Sequence, residues 1–382
     1  MIKVKFKNYL YIASAASFFA APAYAQDAQS EIEELKRQVA EMRADYEQRI
    51  SQLEKKLDEA VELAEDAAIA QSAGSSSPST FNPSIGAVLD GGFADVGPGR
   101  DVEPGFSPGE IEINLKANVD SRFYGNVTVG MHEHEGEVEV EVEEAWVQAT
   151  SLPAGFSATA GKFFSSAGYL NSFHFHADDF VDRPLPYSEF FDDRYAIEGV
   201  RTRWVAPTNL LFELGGEFNW TEEDTSPGAW TAFTKLGGDL GTGSSWQIGL
   251  SHIRADAEEG SDTDSDLTVM DFVWKWAPQG NPTNNNFKIQ GEYFEQSADL
   301  DSSGWYLQGV WQFAQFWRTG VRYDEVDAET DGNRSSVMLD WSPSEFSRFR
   351  LQYTNDKVLP EADDQWYLQY IMSIGAHGAH QF

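Results

Sequence analysis

The chain has 382 residues, with 62 Asp plus Glu against 27 Lys plus Arg, a formal net charge of -35 and a pI near 4.4. A nucleic-acid partner is excluded by that balance, since a polyanion binds through basic surface. The absence of cysteine removes disulfides, thiolate metal sites and cysteine nucleophiles. Aromatic residues make up 14 % of the chain, too much ring surface for a disordered acidic polymer.

Residues 1–25 carry Lys3, Lys5 and Lys7, then an apolar run from Tyr9 to Ala21, then Ala23-Tyr24-Ala25 before Gln26. This is the three-part layout of a secretory signal peptide, with cleavage expected after Ala25. The run is shorter than the ~20 residues of a spanning helix, and no later stretch reaches that length. Residues 26–70 are rich in Glu, Lys, Arg and Ala, with Ile32, Leu35, Val39, Met42 and Tyr46 at spacings of three and four. That seam continues through Ile50, Leu53, Leu57 and Ala60 and predicts a coiled-coil oligomerisation stalk, with a stutter between Val39 and Ile50. Residues 71–80 (QSAGSSSPST) read as a flexible linker.

Residues 81–382 alternate with period two in short segments separated by turn clusters. Ile111, Ile113, Leu115, Ala117 and Val119 share one face, and Glu112, Asn114, Lys116 and Asn118 share the other. Similar ladders recur from Phe123 to Ile374, and their apolar faces end in Trp, Tyr or Phe, among them Trp220, Trp246, Trp276, Trp305, Trp341 and Trp366. Such endings suit the interfacial girdles of a membrane barrel. Short connections, such as 120–122, 151–155 and 207–209, alternate with long acidic ones at 256–266, 296–303, 324–333 and 355–364. The expected fold is an all-β transmembrane barrel of about 16 antiparallel strands, preceded by the helical stalk. Phe382 closes the chain as the terminal aromatic that signals insertion of such a barrel.

Signal peptide, stalk, linker, barrel and terminal Phe together resemble trimeric outer-membrane porins of the phosphate-selective porin superfamily. The most specific likeness is GKFFSSAGYLNSFHFHADDFVDRPLPYSEF, from Gly161 to Phe190, followed by a strand with Arg201 and Arg203. It is similar to the strand and inward-folded third loop, here about 165–193, that constrict such pores. The resemblance implies passive diffusion of small hydrophilic or ionic solutes through a homotrimer in the bacterial outer membrane. It also implies insertion by the barrel assembly machinery, outer-membrane lipid as surroundings and a stalk in the periplasm. The chain departs from the family in its loop acids, Asp178, Asp179, Asp182, Glu189, Asp192 and Asp193, against only Arg183 and Arg194. Phosphate selectivity does not carry over, and cation tolerance is expected instead.

Strand parity places Arg201 with Arg203, Arg318 with Arg322, and Arg348 with Arg350 on lumen faces, since a charge towards lipid costs a few kcal/mol near the midplane. Facing the acidic loop, they would either set up a transverse field or pair with its carboxylates and hold it to the wall. His132 with His134, and His174 with His176, each bring two imidazoles to one face if extended, with Asp178 and Asp179 close to the second pair. These are candidate ligands for a divalent metal; no other cofactor is implied. Glu139, Glu141 and Glu143 alternate with valines as an acidic row that favours cations. No Gly-x-Ser-x-Gly elbow, His-Glu-x-x-His helix or phosphate loop is present; Ser165 and Ser166 near His174 are the nearest approach to a nucleophile and base. Other readings are an uptake protein related to TonB-dependent receptors, whose ~22 strands and plug exceed this length, a zinc-linked uptake protein, and a structural tether to peptidoglycan.

Overall fold

The computed structural model describes Arg37 and residues 83–97, 104–134, 137–219, 228–255, 265–298, 300–328, 331–358 and 363–375. The leader, the stalk seam, the linker, Trp220 and Phe382 lie outside the described residues.

Alternation of small or apolar residues with polar ones builds seventeen strands, sixteen long and one short. In chain order they are β1 (Ser84–Asp95), β2 (Gly105–Ser107), β3 (Ile111–Asn118), β4 (Phe123–His134), β5 (Glu137–Ala149), β6 (Phe156–Phe164), β7 (Ala196–Val205), β8 (Leu211–Asn219) and β9 (Ala229–Asp239). There follow β10 (Ser244–Ala255), β11 (Ser265–Trp276), β12 (Asn286–Ser297), β13 (Ser302–Ala314), β14 (Trp317–Asp327), β15 (Gly332–Ser344), β16 (Ser347–Asp356) and β17 (Asp363–Gly375). From β3 onward each strand pairs antiparallel with the next, and β1 closes the ring by pairing with β17 on one side and with β2 and β3 on the other. Closure removes every long unpaired edge, the condition a barrel needs in a medium that offers no hydrogen bonds.

Two features differ from the sequence-based expectation. Strands β1 and β9 have no recognisable ladder in the sequence, because glycine and alanine hold many of their positions (SIGAVLDGGFAD and AWTAFTKLGGD). The connections expected at 296–303, 324–333 and 355–364 are shorter, because β12 to β17 keep pairing through polar ends such as Gln296–Ser302 and Glu325–Asn333.

Alternation decides what faces outward. Val321 is 62 % exposed, and Met270, Leu307 and Ile374 stand on the same outer surface, whereas Arg322, Asp324 and Gln308 point in and are buried. On β13, Trp305 stands near one end of the outer face and Phe313 near the other, eight residues on. At about 3.4 Å per residue and a tilt of about 40°, that separation spans roughly 20 Å, close to the height of a lipid-facing apolar band.

The interior is packed rather than hollow on one side. The connection between β6 and β7 folds into the barrel and carries a short α-helix of about two turns, α1 (Leu185–Phe191), entered through Pro184 and ended by Asp192 in the left-handed region at φ 47°. Ala167, Leu170, Tyr187 and Phe191 of this loop pack on Ile253, Leu267, Val269, Phe294 and Tyr306 of the wall. Phe180 lies between Val310 and Met338, and Val181 against Ala94, Val96 and Tyr367. Each large side chain so buried contributes about 1.5–3 kcal/mol, so the loop is a core element.

A charge placed on the outer face tests this orientation. Val321→Arg is expected to lower the unfolding free energy of the refolded barrel in lipid by about 2–4 kcal/mol, measured by urea titration. An unchanged midpoint would contradict an outward Val321.

Candidate pore constriction

The wall behind the third loop is an ion-pair lattice. Asp182 accepts from Arg322 Nη2 and Arg334 Nη1, both at 2.7 Å, and from Gln352 Nε2 at 2.5 Å. Asp179 pairs with Lys288 and with Arg318, the latter at 3.2 Å. Asp178 pairs with Arg183 at 2.9 Å, while its carbonyl oxygen accepts from Arg350 Nη2 at 2.9 Å. Arg350 also reaches Asp340 at 2.8 Å, an acid shared with Arg318, and Arg348 approaches it at 4.0 Å. At the loop entrance Glu217 takes Arg201 at 3.0 Å and the Ser165 hydroxyl at 2.6 Å. Arg203 reaches Glu213 at 3.5 Å and donates to the Ser166 hydroxyl at 2.9 Å. Glu292 of β12 anchors the start of the loop, accepting from the backbone N–H of Leu170 at 2.8 Å and from the hydroxyls of Tyr187 and Tyr306. Gly168, at φ 75°, lets the chain pass: a Cβ there would lie 2.4 Å from Glu292 Oε2.

Of the expected arginines, Arg318 and Arg322 pair with loop carboxylates, Asp179 and Asp182, whereas Arg201, Arg203, Arg348 and Arg350 take acids of the wall, Glu217, Glu213 and Asp340. Arg201, Arg322 and Arg350 are buried, as are Asp178 and Asp179, so these residues stand behind the loop rather than beside open space. Their side chains do point into the barrel, as parity requires. The Ser165 hydroxyl donates to Glu217 and the Ser166 hydroxyl accepts from Arg203.

Open space lies on the other side. Two cavities of about 580 and 570 Å³ share Ser107, Gly109, Glu110 and Phe175 in their linings and run between the loop and the wall of β1, β2, β4, β5, β6 and β17. The first is bordered by Asp90, Glu110, Asp182, Glu189 and Asp193 against Arg183 and Arg334. The second has Glu110, Glu141, Glu143 and Asp192 against Lys162 and Arg194. Asp90, Glu110 and Arg334 carry no motif, and only their strand parity or nearness to a strand end hinted at them; Lys162 lies in the segment 161–190, where the sequence assigns it no role. Gly130 makes the room here: a Cβ would lie 2.7 Å from Glu143 and 2.8 Å from Glu110.

The histidines are placed differently from the expected set. The turn Phe175–Ala177 replaces extended chain, so His174 and His176 stack, with ring centroids 5.7 Å apart. Their neighbours are glutamates of the wall, not Asp178 and Asp179, which turn towards Arg183 and Lys288. His174 Nδ1 lies 3.0 Å from Glu112 and 2.9 Å from Glu143, its Nε2 lies 3.2 Å from Glu144, and His176 Nδ1 is 3.1 Å from Glu112. Burial disfavours charge on His174, but hydrogen bonds to Glu112, Glu143 and Glu144 outweigh it and hold the imidazole pKa well above its ordinary value. His132 is separate, 3.5 Å from Glu139, and the His134 side chain lies outside the described residues.

A β-bulge creates this cluster. Thr128 pairs with Glu144 and Val129 with Val142, so Glu143 is the extra residue, and both consecutive glutamates turn inward. The acidic row of β5 therefore divides: Glu139 and Glu141 stay exposed, whereas Glu143 is buried. The doubled acid in EVEVEVEE is the sequence signal for that slip.

No known family profile matches the chain. An uncharacterized protein of Aquifex aeolicus (strain VF5) is 27 % identical over 341 residues, covering 73 % of this chain and 70 % of that one. Among solved structures, the trimer form of the in-vitro folded outer membrane protein OmpT of Vibrio cholerae matches with a TM-score of 0.56 at 12 % identity, over 78 % of this chain and all of that one. The anion-selective porin from Comamonas acidovorans gives 0.56 at 10 % identity, over 77 % of this chain and 100 % of that one. The outer membrane channel DcaP of Acinetobacter baumannii gives 0.53 at 10 %, over 79 % and 99 %. The chain thus has the closed sixteen-strand antiparallel barrel fold of outer-membrane porins.

Proposed function

We propose that this protein is an outer-membrane porin that passes small hydrophilic solutes by diffusion and favours cations. The observation that carries the reading is the one-sided interior. The third loop is bound to one half of the wall, and the space beside the other half is bordered by more carboxylates than cations. A low-dielectric wall lined by one sign of charge raises the local concentration of the opposite ion. The constriction residues in this reading are Glu110, Glu141, Glu143, Asp182, Glu189, Asp192 and Asp193, with Lys162, Arg194 and Arg334 as counter-charges. The buried arginines act as positioning residues through Asp178, Asp179 and Asp182. Trimeric assembly through residues 26–70 is part of the proposal, supported by the heptad seam. So is a periplasmic location for that segment, with peptidoglycan as a candidate partner.

Selectivity is the direct test. In asymmetric salt across a planar bilayer, the reversal potential is expected to have the sign of a cation-preferring channel. Glu141→Gln with Asp192→Asn should reduce it, and Arg201→Ala should leave it nearly unchanged. An anion-preferring parent would reject the reading.

The attachment of the loop predicts an acid limit. Burial raises the Asp182 carboxyl, but the charges of Arg322 and Arg334 overcome that and lower it to about 2 from 3.8. A lowered carboxylate stabilises the folded attachment above its unfolded pKa, and the contribution, on the order of 2 kcal/mol, disappears as pH falls from about 4 to about 2. Current noise and protease cleavage within the loop are expected to rise over that interval, and Asp182→Asn should show the same noise at neutral pH. A quiet channel at pH 2 would contradict this.

Removing Gln29 to Ala70 is expected to convert the trimer to monomers with intact barrels, read by light scattering. A deletion that keeps the trimer and produces membrane blebbing would instead favour a tether.

A further inference from the structure

The contacts around His174 describe more than a hydrogen-bonded imidazole. One ligand atom from each of Glu112, Glu143 and His174 lies within 4.8 Å of the other two, and the two glutamates are buried. The three come from different elements, β3, the bulge of β5 and the third loop. A tetrahedral zinc site with bonds of about 2.0–2.1 Å keeps its ligand atoms about 3.3 Å apart. Glu112 and Glu143, at 3.0 and 2.9 Å from His174 Nδ1, need open only by a few tenths of an ångström.

An independent feature lies on the other face of the ring. Glu144 Oε2 is 3.2 Å from His174 Nε2, and Glu144 is itself held by the indole N–H of Trp146 at 2.9 Å. A carboxylate on the far nitrogen fixes the tautomer that leaves the near nitrogen free to bind metal, the usual outer partner of a metal-ligating histidine. The bulge thus supplies a ligand and an orienting group from adjacent residues. His176 Nδ1, 3.1 Å from the same Glu112 oxygen, plays the corresponding part for that carboxylate. The carboxylates of Glu112, Glu143 and Glu144 also outnumber Arg194 and Lys116, the permanent cations that act on them.

We propose that Glu112, Glu143 and His174 bind a divalent first-row metal ion of the zinc type, which ties the third loop to the wall beside the open passage. Mixed imidazole and carboxylate donors suit such an ion better than calcium or magnesium, which take oxygen ligands. Arg194, 3.2 Å from Glu143, counts against binding and limits affinity. The site stands on its own geometry and does not depend on the protein being a porin.

Zinc alone is the probe, titrated into the refolded full chain in detergent and followed by calorimetry. One saturable zinc per chain is expected. His174→Ala and Glu112→Gln should each weaken it more than tenfold, and Glu144→Gln by about ten- to a hundredfold as an orienting partner. His132→Ala should leave it unchanged. Zinc-edge X-ray absorption should give a shell of one imidazole nitrogen with oxygen ligands. Circular dichroism and heat-dependent gel migration establish that each variant holds its barrel. Glu144→Gln, which removes no ligand and keeps an amide oxygen able to accept from His174 Nε2, keeps the test valid if His174→Ala does not fold. Absence of saturable heat, unchanged binding in folded His174→Ala or Glu144→Gln, or a shell of several imidazoles would each overturn the proposal.

Discussion

The position of the third loop depends on Asp182. Its carboxylate meets Arg322, Arg334 and Gln352, which project from three neighbouring strands, β14, β15 and β16. A buried charge is costly unless its partners are in place, so the acid and the arginines are fixed only together. With Asp182 held there, Phe180 and Val181 follow into apolar sites on either side, and α1 packs against β13 and β14.

The same attachment explains why the interior is asymmetric. Apolar packing and ion pairs draw the loop towards β10–β16, and the space left open is bordered by β1, β2, β4, β5, β6 and β17, where carboxylates are in excess. The lattice neutralises most charge where the loop touches the wall, which leaves the unbalanced charge where solvent remains. A strongly acidic chain is in this way reconciled with a closely packed barrel interior.

His174 stands at the other margin of the loop, and its role follows from the bulge in β5. A regular strand would present Glu143 or Glu144 to the lumen, not both. With both inward, one imidazole has a carboxylate on each nitrogen. The loop is therefore fastened at both margins, by guanidinium groups on one and by an imidazole on the other.

Much of the fold was legible in the alternation. Inward arginines and outward apolar residues on β7, β14 and β16 follow from period two and the cost of a charge in lipid, which are local properties of the chain. Strands β1 and β9 were hidden because glycine and alanine carry little periodic signal, and their place is set by the neighbours that pair with them. The site was legible as a list of charged residues but not as an arrangement. Asp178, Asp179 and Asp182 lie within five residues of one another, yet they choose different partners on the far wall, up to 172 positions away. Sequence alone determined which face the side chains of the recognisable ladders take, because that depends on strand period, the bulged Glu143 and Glu144 excepted. Only the tertiary structure decided which acids are neutralised and which border the passage, because that depends on where one loop crosses a barrel closed by pairing between its first and last strands.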